Sequence, residues 1–176
     1  AIRGRRLTEG SLVVKGYSNV KSEGRWGKPL KRPLPQLTDR NRFFWTSGED
    51  GKLRFLRCTD CQNFVHPPSP ICDKCLSRDL AVAEVSGRAT VAAVTVNHQM
   101  WMPMIEPPSV ITLIDIDEQP SVRLTTNIVH CDEENLRNRM PVELLFAHYE
   151  DVYVPVFRPA NPRVCSAGGL GEEKER

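Results

Sequence analysis

From residue 81 onward the chain repeats apolar and polar positions with a period of two, the pattern of half-buried strands. PSVRLTTNIV (120–129) sets Val122, Leu124, Thr126 and Ile128 on one side, and Glu118-Gln119-Pro120 supplies the turn from the preceding strand, SVITLIDID (109–117). Residues 81–97, AVAEVSGRATVAAVTVN, form a longer apolar run in which Gly87 predicts a curved strand or a bulge. PVELLFAHYE and DVYVPVF predict two last strands. Between the third and fourth strands, HCDEENLRNRM predicts a short helix with Asp132 as its cap and an acidic first turn. Five strands with a helix between the third and fourth is the OB-fold arrangement, which makes the expected class mostly β with a five-stranded barrel.

Upstream the pattern changes. TDRNRFFWTSGEDG (38–51) predicts a short helix with Thr38 as N-cap, Asp39 at the positive end of its dipole and Gly48 as the stop. Phe43, Phe44 and Trp45 cannot share one face, so this helix is expected to pack on two sides, one of them against a partner. KLRFLRC (52–58) then places Leu53 and Phe55 inward at strand period. Residues 1–36 show little periodicity and predict a basic extended arm with one short strand at Leu12–Val14. The polar, glycine-rich segment 160–176 predicts a disordered tail.

Composition adds an asymmetry. Residues 1–42 hold eleven Lys/Arg against three acidic groups, whereas the remainder holds thirteen against nineteen, so a basic arm at +8 precedes a body at −6. Such an arm suits nucleic acid, an acidic partner or an anionic cofactor such as coenzyme A, and equally a solvated leader. The chain has no apolar run long enough to span a membrane, and AIRGRRLTEG lacks the apolar core of a secretory signal. A reducing cytoplasm is the expected location.

Four of the six cysteines lie in CTDCQNFVHPPSPICDKC (58–75) as two Cys-x-x-Cys pairs. Each pair presents two sulfurs on one turn, and a hairpin opposes the turns, so Cys58, Cys61, Cys72 and Cys75 can occupy the corners of a tetrahedron. Four thiolates close the coordination sphere of one structural zinc and leave no position for substrate. Iron could use the same ligands, and two disulfides would need an oxidising compartment. His66 lies inside the loop and reads as a surface residue, while Cys131 and Cys165 read as bystanders. The segments are then the arm 1–36, helix plus zinc ribbon 37–80, OB-fold 81–159 and tail 160–176.

Catalytic groups are harder to find. His66, His98, His130 and His148 are scattered without a nucleophile or acid–base companion, and the sequence contains no phosphate-binding or metalloprotease motif. NHQMWMPMIEPPS (97–109) stands out because Met100, Trp101, Met102, Met104 and Ile105 crowd a loop. These side chains either cap the barrel end or meet an acyl chain or a partner. Arg88, Arg123 and Arg158 are weak candidates for coenzyme A phosphates.

FFWTSGEDGKLRFLRCTDC, HPPSPICDKC, VSGRATVAAVTV and VPVFRP together resemble domain-of-unknown-function family thirty-five, the zinc-ribbon/OB-fold proteins associated with acyl-CoA enzymes. The resemblance covers about residues 37–159 and leaves the arm outside. It implies a non-catalytic subunit that works beside a thiolase-like enzyme, as in steroid side-chain aldolases, where a domain of this type pairs with the enzyme that cleaves a β-hydroxyacyl-CoA. By that resemblance the partner is a thiolase-like aldolase or lyase in a hetero-oligomer such as a heterotetramer, and the substrate an acyl-CoA; the candidate contact residues, read from the apolar crowding of their segments, are Phe43, Phe44, Trp45, Met100, Trp101, Met102 and Met104. An oligonucleotide-binding protein is the alternative from another class. The middle strands, VITLIDID and VRLTTNIV, hold no aromatic residue to stack bases and almost no Lys or Arg to bind phosphates.

Overall fold

The computed structural model describes residues 11–13, 33–100 and 107–165. Its short elements come first: β1 (Ser11–Val13), α1 (Arg42–Trp45), β2 (Arg54–Cys58), β3 (Phe64–Val65) and β4 (Leu80–Glu84). The OB-fold strands are β5 (Arg88–Asn97), β6 (Ser109–Ile116), β7 (Gln119–Thr126), β8 (Pro141–Tyr149) and β9 (Val152–Pro159).

Two sheets result. The small one has the antiparallel order β3-β2-β4. The large one runs β1-β8-β5-β6-β7, with β9 on β8, and curls into the five-stranded OB-fold. The segment just past β7 meets β9 at one parallel bridge, Ile128 to Phe157. The alternation read from the sequence is met there: Val122, Leu124, Thr126 and Ile128 are all buried, alongside Val91, Ile114, Val142 and Phe157.

Gly87 does more than bend a strand. The run 81–97 breaks there, so that β4 joins the small sheet and β5 the barrel, while the bulge itself falls at Val91–Ala93. Gly87 has φ +78°, and a Cβ on it would lie 2.9 Å from the Leu144 Cβ. Its carbonyl accepts the Leu144 N–H at 2.9 Å, and the Ser86 N–H donates to Glu118 Oε1 at 2.5 Å. Left-handed backbone and close approach thus coincide at the joint between the sheets. Gly87→Ala is expected to lower stability by about 2–4 kcal/mol, read as a shifted urea midpoint at unchanged slope.

Several sequence expectations are corrected. The helix at 38–48 is one turn long, starting at Arg42 with Asn41 as N-cap, and Thr38 instead closes the entry turn by accepting the Arg42 N–H at 2.9 Å. Its two faces are occupied by the chain itself: Phe44 enters the main core and Trp45 packs between that core and a second cluster around Tyr149 and Val154. The segment after β7 forms a single 3-10 turn, Glu133–Asn135, in which the Asp132 side chain makes no cap. The arm's strand begins at Ser11 and pairs antiparallel with β8, Leu12 opposite Ala147. Residues 160–176 are not uniformly a tail, because Pro162–Cys165 form a further 3-10 turn. Cys131 and Cys165 are not bystanders but a disulfide joining that turn to the segment after β7.

Candidate metal centre

The two Cys-x-x-Cys turns are built alike. The Gln62 N–H donates to Cys58 O and the Leu76 N–H to Cys72 O, each at 3.0 Å. Each turn is then closed from the other side, Cys58 N–H to Asn63 O at 2.9 Å and Cys72 N–H to Ser77 O at 2.8 Å. The residue after each second cysteine sits in the left-handed region, Gln62 at φ 62° and Leu76 at φ 61°. That position favours glycine, so its absence costs each turn about 1–2 kcal/mol of backbone strain that the hydrogen bonds and the metal must hold.

The sulfurs converge. Cys58 and Cys75 lie 3.5 Å apart, as do Cys61 and Cys72, and all four ligand atoms fall within 4.8 Å of one another. That spacing fits a tetrahedron of sulfurs about 2.3 Å from a central ion. The Cys75 and Lys74 backbone N–H groups hold the Cys72 thiol down to about 7. The Ser77 backbone N–H acts likewise on Cys75, but the crowding thiols of Cys61, Cys58 and Cys72 outweigh it and push Cys75 up to about 12. Cys61 is also raised: its bond to the Asn63 backbone is outweighed by burial and by the thiols of Cys72 and Cys58. Four sulfurs brought this close together are favourable as thiolates around a cation, and their convergence marks the site as a metal site. Four sulfur donors, with no fifth group among the described residues, match zinc, and the closed set makes its role structural.

Few other groups support the turns. Cys58, Val65 and Cys72 form the local buried cluster, with Leu56, Cys61 and Leu80 against it. The turns are tied to the barrel by polar bonds that no local sequence signal announces. Gln119, at the start of β7, accepts the Phe64 N–H at 2.8 Å and donates to Asn63 Oδ1 at 3.1 Å, and Asn63 in turn donates to Asp73 Oδ1 at 2.8 Å.

His66 is not a surface residue. Its ring packs on both Phe44 and Phe55, centroids 5.1 and 4.9 Å away, and its buried Nδ1 has no hydrogen-bond partner among the described residues. Burial lowers its pKa to about 4. The folded value lies below the unfolded one, so the neutral ring costs nothing above pH 6.5, and stability is lost as pH falls from about 6.5 to about 4. Wild-type protein is expected to lose about 3 kcal/mol over that window relative to His66→Phe, measured by denaturant unfolding of both at each pH.

The proposed contact residues separate. Phe44 is 3% exposed and belongs to the core, so it is removed from any contact set, and Phe43 and Trp45 are half-buried against the same core. Met100 is 57% exposed. Trp101, Met102 and Met104 lie outside the described residues. Arg88, Arg123 and Arg158 are each paired on the sheet, with Asp117 at 3.6 Å, Asp115 at 2.9 Å and Glu143 at 2.7 Å.

Two family profiles match in tandem: the rubredoxin-like zinc ribbon domain of ChsH2 over residues 45–81, and the C-terminal OB-fold domain of ChsH2 over residues 82–147. A "Probable enoyl-CoA hydratase alpha subunit" of Thermomonospora curvata is 33% identical over 133 residues, which is 75% of this chain. The chain spans 41% of that relative's length. Among solved structures, a chain of the "Ltp2-ChsH2(DUF35) aldolase" aligns over its whole length and 73% of this chain, with 32% identity and a TM-score of 0.65. With ribbon and barrel both matched in the same order, the chain belongs to the ChsH2 (DUF35) family of zinc-ribbon/OB-fold proteins.

Proposed function

We propose that this chain is a non-catalytic subunit of an acyl-CoA carbon–carbon lyase, docking a thiolase-like aldolase and helping to receive its acyl-CoA. The observation that carries this reading is the full-length likeness to a chain of an aldolase assembly. The name of the hydratase relative supports an acyl-CoA setting. Two copies on an aldolase dimer would make a heterotetramer, and a steroid side-chain acyl-CoA is the substrate class the reading favours. The four thiols of the metal site suit a reducing cytoplasm.

The disposition of polar groups agrees with a scaffold role. His66 packs on two rings, and His148 stacks on Tyr153 at 4.3 Å. The zinc site offers no open position to substrate. The paired arginines weigh against the oligonucleotide alternative, since a phosphate backbone would first have to displace three carboxylates.

Turnover of a β-hydroxyacyl-CoA by the thiolase-like aldolase is expected to rise roughly 100-fold when this chain is added in equimolar amount, as expected where a subunit positions substrate or catalytic loops. Equal turnover with and without it would overturn the proposal.

A further inference from the structure

We propose that Cys131 and Cys165 are a thiol–disulfide exchange site for a low-molecular-weight disulfide of the glutathione class, and that the bond they form is a reversible clasp across the thinnest seam of the barrel. The chain carries two populations of cysteine. Cys58, Cys61, Cys72 and Cys75 are free thiols at the metal site, whereas Cys131 and Cys165 are joined with Cα atoms 4.8 Å apart. A compartment that preserves four thiols as metal ligands also reduces any disulfide its small thiols can reach.

Reach is asymmetric in this pair. Cys131 is buried in the main core, while Cys165 is half-buried at the end of an exposed turn. That asymmetry gives each sulfur a different part. In the oxidising direction, the Cys165 thiolate attacks one sulfur of the small disulfide, forming a mixed disulfide and expelling one small thiolate. The Cys131 thiolate then attacks the Cys165 sulfur and expels the second. The two protein thiol protons pass by way of solvent to the two expelled thiolates, so the protein dithiol is oxidised by two electrons and the small disulfide is reduced to two thiols. Reduction runs the same steps backwards.

The position decides the consequence. Elsewhere the barrel strands are zipped by ladders, with β8 and β9 paired from Val142–Pro159 to Tyr149–Val152. Between β7 and β9 the closure is one bridge, Ile128 to Phe157, with the Val129 N–H to Phe157 O at 2.7 Å, the Phe157 N–H to Asn127 O at 3.0 Å and Thr126 Oγ1 to Pro155 O at 2.8 Å. The disulfide lies at the end of this seam, two residues past Val129. The turn it fastens is open to solvent: residues 161–164 are all exposed, Val164 at 46%. Reduction therefore removes the covalent tie between the turn and the segment after β7, while the seam keeps its hydrogen bonds, the Thr126 side-chain bond among them.

The test uses the full zinc-loaded chain, equilibrated without air in mixtures of reduced and oxidised glutathione, acid-quenched and peptide-mapped by mass, with zinc content measured in each sample. Trypsin cleavage after Arg163 reads the state of the turn. The Cys131–Cys165 peptide is expected to appear and disappear across the series while zinc stays bound, and cleavage at Arg163 is expected to be about tenfold faster in the reduced samples. Cys165→Ser should cleave at the fast rate in every mixture. A pair that stays reduced in every mixture would overturn the proposal, and so would one that resists full reduction. A pair that exchanges while cleavage at Arg163 stays constant, or a Cys165→Ser variant that cleaves at the slow rate, would overturn it as well.

Discussion

Zinc removal is expected to unfold the ribbon turns while the barrel persists. On adding a strong chelator, amides between Cys58 and Asp79 should lose hydrogen-exchange protection, and those of β5 to β9 should keep theirs. The cause lies in what each region buries. The turns rest on a cluster of three buried residues, two of them metal ligands, and they carry two left-handed residues that are not glycine. Against that strain a four-thiolate zinc site contributes on the order of 10–16 kcal/mol at neutral pH. The barrel core, from Val91 and Ile114 to Phe157, also takes in Leu53, Phe55 and Phe64 from the ribbon strands, but it includes none of the four metal ligands. Cys72→Ser should reproduce the effect without chelator, because its sulfur is fully buried and a hydroxyl there is a poor ligand in an unrelieved cavity. Rebinding should release protons, since Cys61 and Cys75 hold theirs until the metal arrives. Unchanged protection in the turns after chelation would contradict this account.

Gly48→Ala carries the second large effect, a loss of about 3 kcal/mol in unfolding free energy. A Cβ at Gly48 would lie 2.4 Å from the Cβ of Tyr153, an atom bonded directly to the β9 backbone that cannot swing aside. Tyr153 is itself held, stacked on His148 and edge-on to Phe146 at 6.5 Å. The added methyl must therefore push the turn after α1 off the barrel. Because Trp45 and Phe44 travel with that turn, the ribbon should loosen as well. Denaturant unfolding measures the loss, and a variant as stable as wild type would show that the turn can retreat without cost.

Much of this molecule is legible from local pattern. Strands β6 and β7 announce themselves because one face of each is buried, so alternation survives in the residues themselves, whereas β8 and β9 bury consecutive residues and read only as apolar runs. The metal ligands are legible because two cysteines must share each turn, which confines them to a fixed spacing. What escapes is whatever depends on distant pairing. Gly48 looks like a helix stop because its close approach is to a residue 105 positions away. Cys131 and Cys165, 34 residues apart, have no motif that announces a pair. The assignment of β4 to the ribbon is invisible because a strand shows the same alternation in either sheet. His66 reads as a surface group because histidine is common on loops, and only the two rings it packs on reveal otherwise. The helix at Arg42–Trp45 is short because its aromatic residues are held by ribbon and barrel rather than by helical propensity.

The most direct test of the central claim is co-expression of this chain with the thiolase-like aldolase of its own source, followed by light scattering of the purified material and zinc analysis. The account predicts a complex of two chains of each kind that survives dilution to micromolar concentration, with one zinc per copy of this chain. A zinc-loaded, folded chain that elutes alone as a monomer, leaving the aldolase behind, would contradict it.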